Sequence, residues 1–447
     1  MGKNKKMTLW SLAWPIFIET ALFMLLGFVD VLILSKYDDL AASSVTVANQ
    51  AVSIATIIFT VVSSASAVLI SQYLGAKQMQ SASRIAALSL VLHLITGLLV
   101  SAIFLLFYNP ILRFIGVEGK ILEFGGQYLS IVGSVMFLQA LMTAISVIIR
   151  NHGMTKISMY VTVGMNILNT IMDIVLVLGL FGLPKMGVVG VAFATSLSRF
   201  AGTVVLGIVL FTKVEKWNIF KLLKPIPGKD IRNIFKIGIP SAFESLMYNL
   251  SQIVITAIVL KYLTDTELIT KTYVQNISMF FYVFAISIGQ ASQILIGHHV
   301  GAGQPDEAYR QGLRAFRQAI LITIAICAAG IVFRGQIMSV FTDDAAVIAF
   351  GSVLLFLELF LECGRTSNLV VISCLRGAGD VYFPTVCAIM SMWVNNVLGS
   401  DVLAVVLGWG VAGLWIAQAT DEVLRGILMI LRWRGGRWRT KSVVQKS

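Results

Sequence analysis

The sequence predicts an all-α integral membrane protein whose twelve transmembrane helices form two six-helix bundles related by a parallel pseudo-twofold repeat. Three observations predict it. Hydrophobic residues fill 57% of the 447 positions and charged residues only 13%, against about 45–50% and about 25% in soluble domains. The apolar residues gather into runs of roughly 20, long enough to cross the hydrocarbon as helices. The second half of the chain repeats the first.

Taken in order, spans are expected at 9–35, 45–70, 85–108, 124–149, 157–181, 188–212, 238–260, 273–297, 318–341, 346–375, 381–407 and 411–431. Only eight prolines interrupt them, and the alternation of a β-barrel is absent. The first span follows "KNKK" and runs on into Asp30 without a small-residue cleavage pattern, so it reads as a retained helix rather than a signal peptide. An even count puts both termini on one side. Most of the 34 Lys and Arg fall on that side, which makes it cytoplasmic. The net charge of +12 is then accounted for by topology and anionic lipid, concentrated in 213–236 and in the tail "RWRGGRWRTK". No folded basic domain is left outside the spans to contact nucleic acid.

The repeat is visible residue by residue. "LISQYLGAKQMQSASR" (69–84) returns as "LIGHHVGAGQPDEAYR" (295–310), and at nearly the same offset Pro15 pairs with Pro240, Glu19 with Glu244, Gln50 with Gln275, Arg150 with Arg376, Gly153 with Gly379 and Asn169 with Asn395. Six spans per half give both halves the same orientation, so their axis should lie along the membrane normal, as in transporters with parallel repeats. The expected organisation is a first lobe over 1–212, a basic cytoplasmic linker over 213–236, a second lobe over 237–433 and a basic cytoplasmic tail over 434–447. A monomer suffices, because the internal repeat supplies both halves.

An ionisable group near the bilayer centre costs about 2.5–3.5 kcal/mol on insertion scales, so it usually faces a bundle interior and marks a path for ions or substrate. Asp30, in "GFVD", has apolar neighbours on both sides for at least a helical turn; the bland alternative is a carboxylate snorkelling from the end of a long tilted helix. In "NILNTIMD", Asn166, Asn169 and Asp173 recur at spacings of three and four, which places them on one helix face. Two carboxylates and an amide oxygen suit a small hard cation, and a close pair of acids also binds a proton. Glu19 and Glu244 each follow a proline by four residues; they either line a central cavity, with Gln50 and Gln275, or hydrogen-bond between helices. Glu358, Glu362 and Arg365 in "ELFLECGRTSN" have the spacing of an intrahelical ion pair between Glu362 and Arg365. Aromatic and methionine side chains such as Met247, Tyr248, Met279, Phe280 and Tyr282 suit varied organic cations.

Together, "WPIFIE…GFVD…VANQ…LISQYLGA", "NILNTIMD…PKMGVVGVAFAT", "LECGR…LRGAGD" and "GVAGLWIAQATDEVLR…LRWRGGRW" resemble the multidrug and toxic compound extrusion (MATE) family of bacterial exporters, through all twelve expected spans. The resemblance implies two six-helix bundles enclosing a V-shaped cavity that alternates between membrane faces, and export of amphipathic cations in exchange for inward H⁺ or Na⁺. It also implies that Asp30, Asn169 and Asp173 are the cation-coupling site of the amino-terminal lobe, able to take Na⁺, with Thr195 a weaker member. The second half keeps Asn395 but has Ile255 where Asp30 would map, and Arg365 stands near the place where some relatives use a carboxylate. A coupling site in the first lobe alone is therefore expected.

Other motifs carry no chemistry. "GWGVAG" (408–413) lies between two spans without a βαβ unit and, like "GVVG" (187–190), reads as a tight turn. His298 and His299 lack a third ligand, so no transition-metal site is expected. The four cysteines, Cys327, Cys363, Cys374 and Cys387, have no C-x-x-C spacing and read as buried structural thiols. No G-x-x-x-x-G-K-[ST] occurs to hold ATP, and no organic cofactor is called for. The function expected is a secondary antiporter of the plasma (inner) membrane, surrounded by lipid and exporting amphipathic, cationic xenobiotics. The alternatives are a lipid-linked oligosaccharide flippase, against which the acidic lumen counts, and a membrane-embedded lipid transferase, for which the loops are too short.

Overall fold

The structure, a computed structural model, describes residues 7–444, and every regular element among them is helical. The "KNKK" stretch at 3–6 and the last residues of the tail lie outside the described residues. In order the helices are α1 (Leu9–Ser35), α2 (Asp39–Gly75), α3 (Met79–Phe114), α4 (Gly119–Ser134), α5 (Met136–Asn151), α6 (Thr155–Leu178), α7 (Gly187–Val209), α8 (Gly228–Tyr262), α9 (Asp265–Gly301), α10 (Pro305–Val332), α11 (Arg334–Ser339), α12 (Ala345–Gly377), α13 (Tyr382–Ser391) and α14 (Gly410–Arg434).

Helices α2, α3 and α9 outrun the expected spans by several residues at each end, α1 coincides with 9–35, and the single span expected over 318–341 is interrupted after Val332, where α10 gives way to the short α11. Ten among the described residues are long and apolar enough to cross a membrane, or eleven if α4 and α5 form one bent span. Those two meet at 48°, where the sequence predicts a single helix over 124–149. The break frees a backbone N–H that must be satisfied away from water. Ser101 of α3 takes it, accepting from Phe137 N–H at 3.0 Å. The expected span 411–431 falls on α14, whose Asp421, Glu422 and Arg425 are too many charges for a lipid-exposed segment; all three are buried and paired within the protein.

The chain divides into two units of contact. One comprises residues 18–74 and 78–242, the other 7–17, 75–77 and 243–444. The core of the first unit is built on α2, α3, α4 and α7, from residues such as Val45, Phe59, Phe104, Tyr128 and Val191. In the second unit the opening turns of α1 pack Leu9, Leu12, Ala13 and Ile16 against Ile288, Ala291 and Ile294 of α9 and Ala315 and Ala319 of α10. The opening of α8 belongs to the first unit in the same way, and Gly238 lies so close to α2 that a Cβ there would stand 1.8 Å from the Val61 carbonyl oxygen.

The segment after α7 is held to the first unit by ion pairs and hydrogen bonds. Arg84 of α3 reaches Asp230 at 2.6 Å, and Ser83 donates to Glu215 at 2.7 Å. At the far end of the chain, Trp438 stacks on Trp433 at 4.2 Å and donates its ring N–H to the Trp433 carbonyl. "GWGVAG" forms the entry to α14: Gly408 and Gly410 have positive φ, and Glu267, which also makes a capping box with Thr264 at the start of α9, accepts from Val411 N–H at 2.9 Å.

Candidate functional site

In the first unit three helices bring polar side chains to one buried point. α1 contributes Asp30, α6 contributes Asn169 and Asp173, and α7 contributes Thr195; Asn169 and Asp173 have no exposed surface, and Asp30 and Thr195 very little. In the carboxamide orientation that satisfies its neighbours, Asn169 donates to Asp30 Oδ1 and to Asp173 Oδ2, each at 3.2 Å, while its oxygen accepts from Thr195 N–H at 3.2 Å. The two carboxyls are themselves within hydrogen-bonding reach of each other. Asp173 Oδ1 and both amide atoms of the buried Asn166 have no hydrogen-bond partner. Orphaned oxygens at such depth fit a proton or a small hard cation, because either supplies what the protein leaves unmade.

Arg199, one turn beyond Thr195 on α7, is a member that the sequence reading did not name. Its charge faces Asp30 and the buried Tyr128, whose hydroxyl donates to Asn49 at 3.0 Å. The signal was available, since Thr195 and Arg199 stand four apart, on one helix face.

Glu19 does not stand open. Arg150 Nη2 donates to its Oε1 at 2.5 Å, and the Ser158 hydroxyl donates to the same atom at 3.1 Å. Gln50 lies on the exposed side of α2.

The second unit encloses a cavity of about 630 Å³ among α8, α9, α12 and α14. Glu244 and Gln275 line it, together with Tyr248, Met279, Tyr282 and Trp415; Met247 and Phe280 do not. Glu244 is paired as its repeat counterpart is, accepting from Arg376 at 2.7 Å and from the Thr385 hydroxyl at 3.1 Å. Gln275 accepts from Lys271 at 3.2 Å. Deeper, Glu362 pairs with Arg365, whose guanidinium also covers the Tyr282 ring at 4.9 Å. Arg425 bonds Asp421 at 2.6 Å and Glu422 at 2.9 Å, so α14 brings a set of charges that the sequence reading passed over.

Among the described residues no group of three or more His, Cys, Asp and Glu could hold a metal ion. All four cysteines are free thiols, Cys327 and Cys374 fully buried.

The MatE family model matches this chain over residues 15–175 and 240–400, one match in each half of the repeat. The uncharacterized transporter YisQ of Bacillus subtilis is 37% identical over 440 residues, which are 98% of this chain and 96% of that protein. A probable multidrug resistance protein NorM of Thermotoga maritima is 27% identical over 98% of this chain and 94% of its own. Among solved structures, a crystal structure of MATE in the straight conformation matches with a TM-score of 0.88 at 19% identity, covering 96% of this chain and 95% of that one. An outward-facing MATE-family multidrug resistance transporter of the MOP superfamily matches at 0.87, again at 19% identity, over 96% and 94%.

Proposed function

This chain belongs to the MatE family, and from that premise we infer that it is a secondary active antiporter exporting amphipathic, cationic organic compounds in exchange for H⁺ or Na⁺. The printed names of its relatives support the substrate class, since several are probable multidrug resistance proteins. The observation that carries the coupling site is the Asn169 bridge between two buried acids. We assign the coupling ion to Asp30, Asn169 and Asp173, with Thr195 closing the shell. Arg199 beside Asp30 argues for H⁺, because a fixed guanidinium charges an electrostatic penalty to any metal ion entering there.

The substrate contacts proposed are Glu244 and Gln275 with the aromatic residues of the second-unit cavity, and Glu19 and Gln50 in the first. The arrangement proposed is twelve spans in two six-helix bundles, 1–212 and 237–433, joined by the linker 213–236 and followed by the tail 434–447. Both termini are cytoplasmic, and a monomer in the inner membrane is the working unit. A flippase for a lipid-linked oligosaccharide would want unpaired cationic groups for a diphosphate, whereas Arg365, Arg376 and Arg425 are each matched to a carboxylate.

Coupling demands only that ion and substrate have opposed effects on one conformational equilibrium, which makes their linkage reciprocal. The test is efflux of an ethidium-type dye from proteoliposomes under an imposed pH or Na⁺ gradient, wild type against Asp30→Asn. Efflux driven by one gradient and lost in the variant, with dye binding retained, supports the assignment and names the ion. Efflux unaffected by either gradient sinks the antiport reading.

A further inference from the structure

Glu244, in the second-unit cavity, takes two donors from the flanks of a single connection. Arg376, in the last turn of α12, donates to its Oε2 at 2.7 Å, and Thr385, in the first turn of α13, donates to the same atom at 3.1 Å. Between them the chain turns sharply. Ala378, Gly379 and Asp380 return their N–H groups to the carbonyls of Cys374, Arg376 and Leu375, and Gly379 has φ +93°, a conformation that favours glycine.

The segment after α14 covers the outer side of that connection. A Cβ on Gly379 would run into the Lys441 carbonyl oxygen and stand 3.4 Å from a methyl carbon of Val443. Trp438 anchors the segment: it is fully buried, stacks on Trp433 at 4.2 Å and donates to the Trp433 carbonyl at 2.8 Å. Arg439 adds an ion pair to Asp306 of α10 at 2.8 Å. The first unit repeats the arrangement. Glu19 accepts from Arg150, at the end of α5, and from Ser158, in the first turn of α6. Between these donors Gly153, at φ +78°, returns its N–H to the Arg150 carbonyl, and the segment after α7 comes alongside at His152, 3.9 Å from Glu215. Two covering segments of different sequence on equivalent connections point to a shared role.

We propose that the segment 437–444 is a clasp that positions Arg376 and Thr385 on Glu244, and so sets how much negative charge the second-unit cavity offers to a bound cation. The proposal rests on reading that cavity as the substrate site. Residues of the clasp touch no substrate; they act through the connection 377–381. With the clasp closed, both donors are spent on Glu244 and much of its charge is matched. With it open, the connection is free to swing outward, and the carboxylate faces the cavity with less compensation. Charges attract most strongly where water is excluded, so opening tightens the hold on a cation. Linkage runs both ways: if the clasp favours the contact of Arg376 with Glu244, that contact favours the clasp by the same factor.

The test is ethidium binding to the purified chain in detergent, read by fluorescence anisotropy, beside the rate of trypsin cleavage at Arg437 and Arg439. Truncation after Thr440 removes what covers Gly379 and leaves the Trp438 stack; it is expected to lower the ethidium Kd several-fold, and so is Trp438→Ala. Arg376→Ala should lower it too, and truncation in that background should add nothing, a non-additivity that general loosening of the fold does not produce. In the full-length chain, Arg376→Ala and Glu244→Gln should each speed cleavage at Arg437 and Arg439 several-fold, which decides the matter even if neither clasp variant folds. An ethidium Kd unchanged by truncation and by Trp438→Ala, a truncation effect as large in Arg376→Ala as in the wild type, or cleavage unmoved by both cavity substitutions overturns the proposal. A wild type that binds no ethidium overturns the cation reading instead, and the cleavage rates alone then decide whether the clasp stands.

Discussion

The amide nitrogen of Asn169 joins Asp30 to Asp173, donating at 3.2 Å to one oxygen of each, while the amide oxygen is turned away onto Thr195 N–H. A carboxamide is directional. With its nitrogen toward the acids it stabilises them without an added ion; with its oxygen toward them, a cation must stand between. Asn169→Ala removes both donations and leaves two buried carboxyls facing each other. The loss of a hydrogen bond to a charged group costs about 1.5–3 kcal/mol, and every 1.36 kcal/mol is about tenfold. Initial rates of gradient-driven dye efflux at matched incorporation are therefore expected to fall at least tenfold, and an unchanged rate would remove Asn169 from the coupling site.

Arg199 gives the ion question a handle. Its charge faces Asp30, and like charges repel a metal cation most strongly where water is excluded. In Arg199→Gln the same pocket should accept Na⁺ more readily. The expected result is Na⁺-dependent thermal stabilisation in detergent that is absent or at least several-fold weaker in the wild type. If wild type and variant respond to Na⁺ alike, Arg199 does not shape ion selectivity.

Much of this site was legible in the sequence because helix periodicity is a strong constraint. Asn169 and Asp173 had to share a face, and a lone Asp30 in an apolar run had to find a polar partner or snorkel. Arg199 had only its spacing of four from Thr195 to mark it, and that shared face does not by itself distinguish a guanidinium that turns inward from one that reaches the interface. The break between α4 and α5 escaped for a different reason: the serine that rescues the freed N–H, Ser101, lies on another helix, and a one-dimensional hydropathy reading sees only a continuous apolar run. The charges of α14 look unfavourable for a span until their pairing, Asp421 and Glu422 with Arg425, is visible.

The repeat places a Glu–Arg pair in each unit, but not in equal surroundings. Glu19 and Arg150 have side chains 3% and 19% exposed, whereas Glu244 and Arg376 are at 16% and 22%. Removing one partner of a buried pair costs about 3–5 kcal/mol, because a charge is left without compensation, and the penalty shrinks as solvent reaches the stranded group. Arg150→Ala is expected to lower the unfolding midpoint in detergent more than Arg376→Ala, and Glu19→Gln should recover part of the Arg150→Ala loss. Equal losses from both arginines would show that burial does not set the strength of these pairs.

Close backbone approach fixes one glycine of α8. A Cβ on Gly238 would stand 1.8 Å from the Val61 carbonyl oxygen, and backbone has no rotamer by which to yield. Overpacking of this kind costs about 1–3 kcal/mol or more. Gly207→Ala on α7 meets nothing within 4 Å, and replacing a helical glycine by alanine usually gains about 0.5–1 kcal/mol. Gly238→Ala should therefore reduce the yield of monodisperse protein, and Gly207→Ala should hold or raise it. Equal yields would mean that α8 can slide away from α2 at little cost.

The basic stretch 213–236 is held by two acids that a charge count hides. Asp230 is bonded by Arg84 at 2.6 Å, and Glu215 accepts from the Ser83 hydroxyl at 2.7 Å, with His152 a further 3.9 Å neighbour. Two adjacent residues of α3 thus hold opposite ends of the segment, leaving exposed lysines such as Lys216, Lys221 and Lys224 between them. Asp230 is buried while Arg84 is only partly so, so the loss of the arginine strands a charge that the loss of the serine does not. Limited digestion with a lysine-specific protease reads local opening through the population of the released segment. Arg84→Ala should speed cleavage within 213–236 several-fold, Ser83→Ala should speed it less, and the double variant should exceed either. A segment cut at the wild-type rate in Arg84→Ala would show that backbone and apolar contacts, Ile219 among them, hold it without the ion pair.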